Sequence, residues 1–349
     1  MIVVMRGTFV FRRMALALAL CLAGATSCVP LPYEENLLPA DVKPPLLLGA
    51  DMLERDVVAV RFDEEVSAAD QGFVASEGLV ISEVVPEEST LMVRLLNPPG
   101  PGDPFFLEGA AEDDHGNTNR FVVELHGHND DPARLLLNEL VIQGSGNNPD
   151  MVELVVIEGG SLGGMVVYEG TKSTHETVFV FPDIAVREGE FILLHYKPEG
   201  TEAEVDELDD ITVSGGKNAS DNARDFWVPD GDGLTGTNGT ISVYTSRSGT
   251  VQDAVVYSNR TRESDEHYRG FGSRKVMEQV DEVGAAHAWL GDGELLFPED
   301  AVWSDDSTAT RSLNRDPDRG DSDTAGDWYT TATRGATPGS PNNRERYAP

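Results

Sequence analysis

Cysteine is almost missing from this sequence: Cys21 and Cys28 are the only two among 349 residues. Both stand near the N-terminus, so the long remainder has no disulfide framework, no thiol nucleophile and no cysteine-ligated metal. Basic residues are scarce too, with 26 Lys and Arg against 61 Asp and Glu and a formal net charge of −35. Such a chain has no basic patch to displace counterions from phosphates, which excludes nucleic acid as a partner. Charge-driven docking on anionic lipid is excluded for the same reason. Aromatic residues make up 7%, too few for the ring-lined cleft in which a polysaccharide enzyme holds sugars. The seven histidines fall into no Ser–His–Asp order, and "GGSLGG", residues 159–164, is not a nucleophile elbow.

What is present begins with a processing signal. Residues 1–27 run from a basic start (Arg6, Arg12, Arg13) through the apolar "MALALALCLAG" to small residues. That order predicts a secretory signal peptide, its apolar run too short to span a membrane as a helix. "ATSC", ending at Cys28, resembles the lipobox of bacterial lipoproteins, with Ala25 where Leu is most usual. The resemblance implies acylation at Cys28. The membrane then becomes a partner through the acyl anchor, and the protein sits in the bacterial cell envelope, at the outer membrane or cell surface. Residues 28–45 are proline-rich and read as a tether.

From residue 46 to 130 the pattern has period two. In "DVVAVRFDEEV", Val58, Val60 and Phe62 share one face while Ala59, Arg61 and Asp63 share the other. Turn clusters such as "NPPGPGDP" and "DDHGN" separate similar stretches, the sign of a β-sandwich. "VVAVRFDEEVS" and "AAEDDHGNTNRFVVELHG" resemble bacterial Ig-like modules. Residues 134–343 resemble a lamin-tail domain in several ordered segments. The opening "LLLNELVIQGSGNNPDMVELVV" matches its first hairpin, and "VQDAVVY" a later strand. The end matches Ser–Leu–x–Arg, an Asp–Trp, then Thr–Pro–Gly–x–x–Asn. The resemblance implies a second Ig-like sandwich. The predicted fold is therefore all-β: two Ig-like β-sandwich domains in tandem, with a C-terminal tail at 344–349. Two stretches depart from a minimal lamin tail, 199–236 and an insertion at about 260–300. The insertion holds a helix, since Val276, Val280, Val283 and His287 fall on one helical face, and that helix is expected to cap an open end of the sandwich.

Three groups of residues are candidates for chemistry. Glu139 and Glu153 interrupt the two apolar strands of the opening hairpin. A turn near 145–148 would set them opposite each other, with Cβ atoms about 5 Å apart, the carboxyl spacing of a retaining glycosidase. The lamin-tail resemblance implies instead that both are structural acids, with Arg311 or Arg334 compensating their charge. "HGHND" puts His126 and His128 on one strand face with Asp130 nearby, a metal pair without a third ligand, and reads as a solvated hinge. Asp316, Asp318, Asp321 and Asp323 lie in an oxygen-rich loop that could take calcium, without EF-hand spacing. The expected role is non-catalytic: a cell-envelope lipoprotein presenting a binding or scaffolding surface to an envelope or extracellular protein, with no cofactor. The alternative is an envelope hydrolase or a calcium-dependent binder using the acidic loops.

Overall fold

The period-two stretches become strands. In a computed structural model, which describes residues 41–69 and 72–349, the first eight are β1 (Leu47–Glu54), β2 (Val57–Phe62), β3 (Ser67–Ala68), β4 (Val74–Ala75), β5 (Ile81–Glu87), β6 (Thr90–Leu95), β7 (Pro104–Glu112) and β8 (Thr118–His126). Cys28 lies outside the described residues. One antiparallel sheet runs β1-β2-β6-β5; in the other, β7 pairs with β3, β4 and β8. Val58, Val60 and Phe62, grouped on one face by their alternation, are buried with Leu91, Val93, Phe105 and Leu107 between the sheets.

The second sandwich continues with β9 (Arg134–Val141), β10 (Met151–Glu158), β11 (Gly160–Ser161), β12 (Val166–Gly170), β13 (His175–Val180), β14 (Ala185–Val186), β15 (Phe191–His195), β16 (Ala223–Trp227), β17 (Asn238–Tyr244), β18 (Val251–Ser258), β19 (Val302–Trp303), β20 (Leu313–Arg315) and β21 (Trp328–Thr330). A six-stranded sheet, β16-β15-β10-β9-β20-β21, faces a five-stranded one, β13-β12-β17-β18-β19. Leu137, Val152, Leu154, Ile192, Ile241, Val243 and Val255 fill the space between them. The fold is all-β in two sandwiches, as the sequence predicts. The chain from Pro44 to Pro349 is held as one unit. Gly102 and Gly164 meet backbone to backbone where the sandwiches touch, a contact with no room for a Cβ.

Both stretches singled out in the sequence, 199–236 and 260–300, now have a physical reason. β15 pairs with β16 in parallel, and β18 pairs with β19 in parallel. Parallel neighbours need a crossover of a dozen or more residues. Residues 196–222 supply the first crossover and residues 259–301 the second. The second carries α1 (Arg274–Ala285), started by Ser273, whose side chain accepts the Val276 N–H. Val280 and Val283 are buried, as their spacing predicts. The helix does not cap an open end of the sandwich. It lies across the outer face of the five-stranded sheet, where Glu282 takes the Tyr244 hydroxyl at 3.0 Å and the Thr171 hydroxyl at 2.7 Å. His287 falls beyond the last turn, with a φ of 58°. The predicted tail is likewise tied down: Arg344 grips Asp318 through two 2.7 Å bonds, and Tyr347 donates its N–H to Thr330.

Candidate functional site

The opening hairpin turns where Ser145 and Asn148 exchange backbone hydrogen bonds of 2.7 and 3.1 Å. That turn sets the register, and Glu139 stands directly across from Glu153. The apolar neighbours of both acids face the core, so alternation turns the carboxyls to the sheet's other face. That face is not open to water: both glutamates are 0% exposed. Their cover is the closing segment, nearly two hundred residues later. Glu139 accepts the Thr337 N–H (2.9 Å) and the Thr337 hydroxyl (3.0 Å) on one oxygen, with Ser312 as a further donor. Glu153 accepts the Gly339 N–H and the Asn138 side-chain amide, both at 2.6 Å. Asn138 is the extra residue of a bulge, which frees its amide for this bond.

Asn342 locks the arrangement. Its amide donates to the Asn138 carbonyl at 3.0 Å and to the Arg315 carbonyl at 2.8 Å, and its oxygen accepts from Asn314 at 2.9 Å. Gly339 has a φ of 72°, and any side chain there would strike Ser220. The residues of "LNEL" and of "TPGSPN" therefore form one clasp joining the start of the domain to its end.

Among the described residues no guanidinium bonds either carboxyl. Arg311 stacks on the Tyr347 ring at 4.0 Å, and Arg334 donates its backbone N–H to Thr310 at 2.6 Å. The like charges are relieved by main-chain and amide donors and by a proton. Burial, and then the neighbouring Glu139, pushes the Glu153 carboxyl up to about 8. Burial also raises Glu139. Near neutral pH Glu153 is therefore mostly protonated.

A second buried polar centre was invisible in the sequence. Arg315, from "SLNR", donates to Asp253 of "VQDAVVY" (2.8 Å), to Asp321 (2.6 Å) and to the Leu137 carbonyl (2.7 Å). Burial outweighs the arginine's charge and pushes Asp253 up to about 7. The four candidate calcium ligands do not converge. Asp316 pairs with Arg346 and Arg319, and Asp318 with Arg344. Asp321 and Asp323 instead approach Asp253, and these three form one of the groups among the described residues whose oxygens could hold a metal. Arg315 already supplies the cation there. Calcium at millimolar levels is therefore expected to shift the melting temperature no more than magnesium does; a calcium-specific rise, abolished by chelator, would establish a site at these three aspartates.

His126, His128 and Asp130 line an open cleft of about 750 Å3 between the sandwiches. His128 Nε2 lies 3.7 Å from Asp130, and burial and then Arg247 push His126 down. Among the described residues no third ligand completes a metal set with the two histidines. Sequence reading also missed the fully buried His195, which bonds Asp225 at 2.6 Å and stacks on Trp227 with ring centres 4.0 Å apart. Only strand pairing brings those residues together.

Comparison with known proteins bears on the second sandwich. Residues 133–330 match a family model described as "TP_1001_2nd: protein second domain". The chain belongs to this second-domain family. Glu139, Glu153, Asp253 and Arg315 lie inside the matched region; Thr337, Gly339 and Asn342 lie just beyond it. A protein of Treponema pallidum (strain Nichols), described as an uncharacterized protein, is 31% identical over 264 residues, 73% of this chain. The match spans 64% of that relative's length. Among solved structures, the N-terminal part of the bacterial S-layer protein SbsC aligns at 17% identity, over 34% of this chain and 35% of its own, with a TM-score of 0.24. The S-layer protein rSbsC(31-844) aligns at 12% identity, over 58% of this chain and 39% of its own, again at 0.24. Likeness at that level decides neither fold nor role.

Proposed function

We propose that this is a non-catalytic cell-envelope lipoprotein, a bacterial Ig-like module followed by a lamin-tail-like domain, held to the membrane through Cys28. It presents a binding or scaffolding surface to an envelope or extracellular protein. The observation that carries the reading is the full cover over Glu139 and Glu153. The acids that most resemble a catalytic pair spend their hydrogen bonds on the chain's own closing segment, as structural acids do, and offer a substrate no surface. The first and the last of the motifs that suggested a lamin tail meet in this clasp, which supports the family reading. No helix of the described residues is long and apolar enough to cross a membrane, and the reading places attachment on the acyl chains.

Two measurements test the proposal. Cys28→Ala is expected to move the protein from the membrane fraction to the soluble fraction, because lost acyl chains remove the attachment. A variant that still sediments with membranes after high-salt washing would end the lipoprotein reading. The non-catalytic reading is tested by assaying the wild type and the Glu139→Gln, Glu153→Gln double variant against polysaccharide and phosphoester panels. No turnover is expected from either; wild-type turnover that vanishes in a folded double variant would make the pair catalytic.

A further inference from the structure

A cavity of about 280 Å3 opens beside the first turn of α1, where β12 ends and β17 begins. Its size is near the lower end for small-molecule sites, roughly 300 Å3. Its wall combines three independent features. The first is the helix end. Ser273 takes the Val276 N–H at 3.2 Å. The N–H groups of Arg274 and Lys275 have no partner within the helix, and this end carries partial positive charge.

The second is Arg260. Its guanidinium stands over Gly272, close enough that a Cβ there would collide with it. Among the described residues no hydrogen bond or ion pair engages that guanidinium, although it feels the charge of Asp265. The third is Thr240, which is 1% exposed and whose hydroxyl has no partner. Its neighbours on the same strand face are satisfied: Asn238 donates to the Phe271 carbonyl at 2.7 Å and Ser242 to the Gly170 carbonyl at 2.5 Å. A buried hydroxyl left unpaired is costly and rare.

The acids in the wall are already occupied. Glu176 is paired with Lys275. Glu169 accepts from the Thr235 N–H (2.7 Å), the Thr235 hydroxyl (2.9 Å) and the Thr177 hydroxyl (3.0 Å). What remains without a hydrogen-bond partner in the cavity wall is the Arg260 guanidinium and one hydroxyl. In a chain of net charge −35, a guanidinium free of hydrogen bonds stands at this helix N-terminus, with Asp265 as its charged neighbour.

We propose that this cavity binds a small oxyanion-bearing molecule. Its carboxylate or phosphate sits on Arg260 and the start of α1, and a hydroxyl of its body pairs with Thr240. The site is independent of the Glu139–Glu153 clasp and of the anchor.

The test titrates the full chain with inorganic phosphate, acetate and glycerol 3-phosphate at constant ionic strength, read by calorimetry and melting temperature. Saturable binding of phosphate or acetate is expected, and the arm that binds more tightly identifies the anion class. Glycerol 3-phosphate should bind more tightly than phosphate. Arg260→Gln should weaken every arm about tenfold or more, the effect of losing a charge-assisted bond. Thr240→Val removes the unpaired hydroxyl at nearly constant shape. It should melt at or above the wild type without ligand, yet bind glycerol 3-phosphate no better than phosphate. Lack of saturable binding by all three probes overturns the site, as does an unchanged affinity in a normally melting Arg260→Gln.

Discussion

Glu139→Ala is expected to destabilise the second sandwich by about 3 kcal/mol or more. The carboxylate is 0% exposed, and its removal takes the acceptor from the Thr337 N–H, while the Thr337 hydroxyl is left only Asn342 at 3.3 Å and the Ser312 hydroxyl only Thr331 at 3.2 Å. A buried donor left without an acceptor costs about 1–3 kcal/mol, and the space vacated by the side chain adds a cavity cost. Water cannot repair the loss without lifting the closing segment, and lifting it would also expose Glu153. Glu139→Gln is the control. Its carbonyl oxygen can still accept the Thr337 N–H while its amide donates to a hydroxyl, so it should stay within about 1 kcal/mol of the wild type. Urea unfolding of both variants, followed by a probe in the second sandwich, decides the matter. A loss below about 1 kcal/mol in Glu139→Ala would mean that the clasp contributes little to holding the domain together.

Stability should fall as pH rises from about 5 to about 8. Glu153 is pushed from its ordinary 4.5 to about 8, chiefly by burial and then by Glu139. Across that interval the folded chain therefore holds a proton that the unfolded chain has released, and stability declines with pH wherever the folded state binds more protons. The contribution is fully present below 4.5, and it is lost as pH passes through about 8. At about 1.4 kcal/mol per unit, the effect is on the order of 5 kcal/mol at most. The strong net negative charge pulls in the same direction, since carboxylate repulsion also grows with pH. Glu153→Gln separates the two, because it removes the titration and leaves the surface almost unchanged. Unfolding free energies at pH 5 and pH 8 should differ clearly less in the variant than in the wild type. Equal slopes would place the proton elsewhere.

The legible parts of this protein were those governed by neighbours in sequence. Val58, Val60 and Phe62 announced one buried face because strand side chains alternate. Val280 and Val283 announced a helix because four- and three-residue spacings share a helical face. The opposition of Glu139 and Glu153 followed from turn chemistry at 145–148, since a hairpin of known turn has a known register. The candidate arginines failed for a physical reason: a carboxylate can be satisfied by backbone amides, and no side-chain inventory shows where those will be. The aspartates of 316–323 misled in a related way. Their oxygens are crowded in sequence, yet the fold hands two of them to Arg344 and Arg346 and turns the other two toward Asp253.

By itself the sequence determined an all-β chain, an acidic surface, two sandwiches, one amphipathic helix and an opposed pair of acids, because each follows from composition or from spacings of a few residues. Tertiary structure alone decided that the pair is sealed. Thr337 lies 198 residues beyond Glu139, and its arrival there depends on β20 docking beside β9. It also decided that the two insertions are crossovers between parallel strands and that Arg315 finds Asp253. Burial, and with it the protonation of Glu153, depends on which distant segment covers a face, and that is settled only when whole sheets pack.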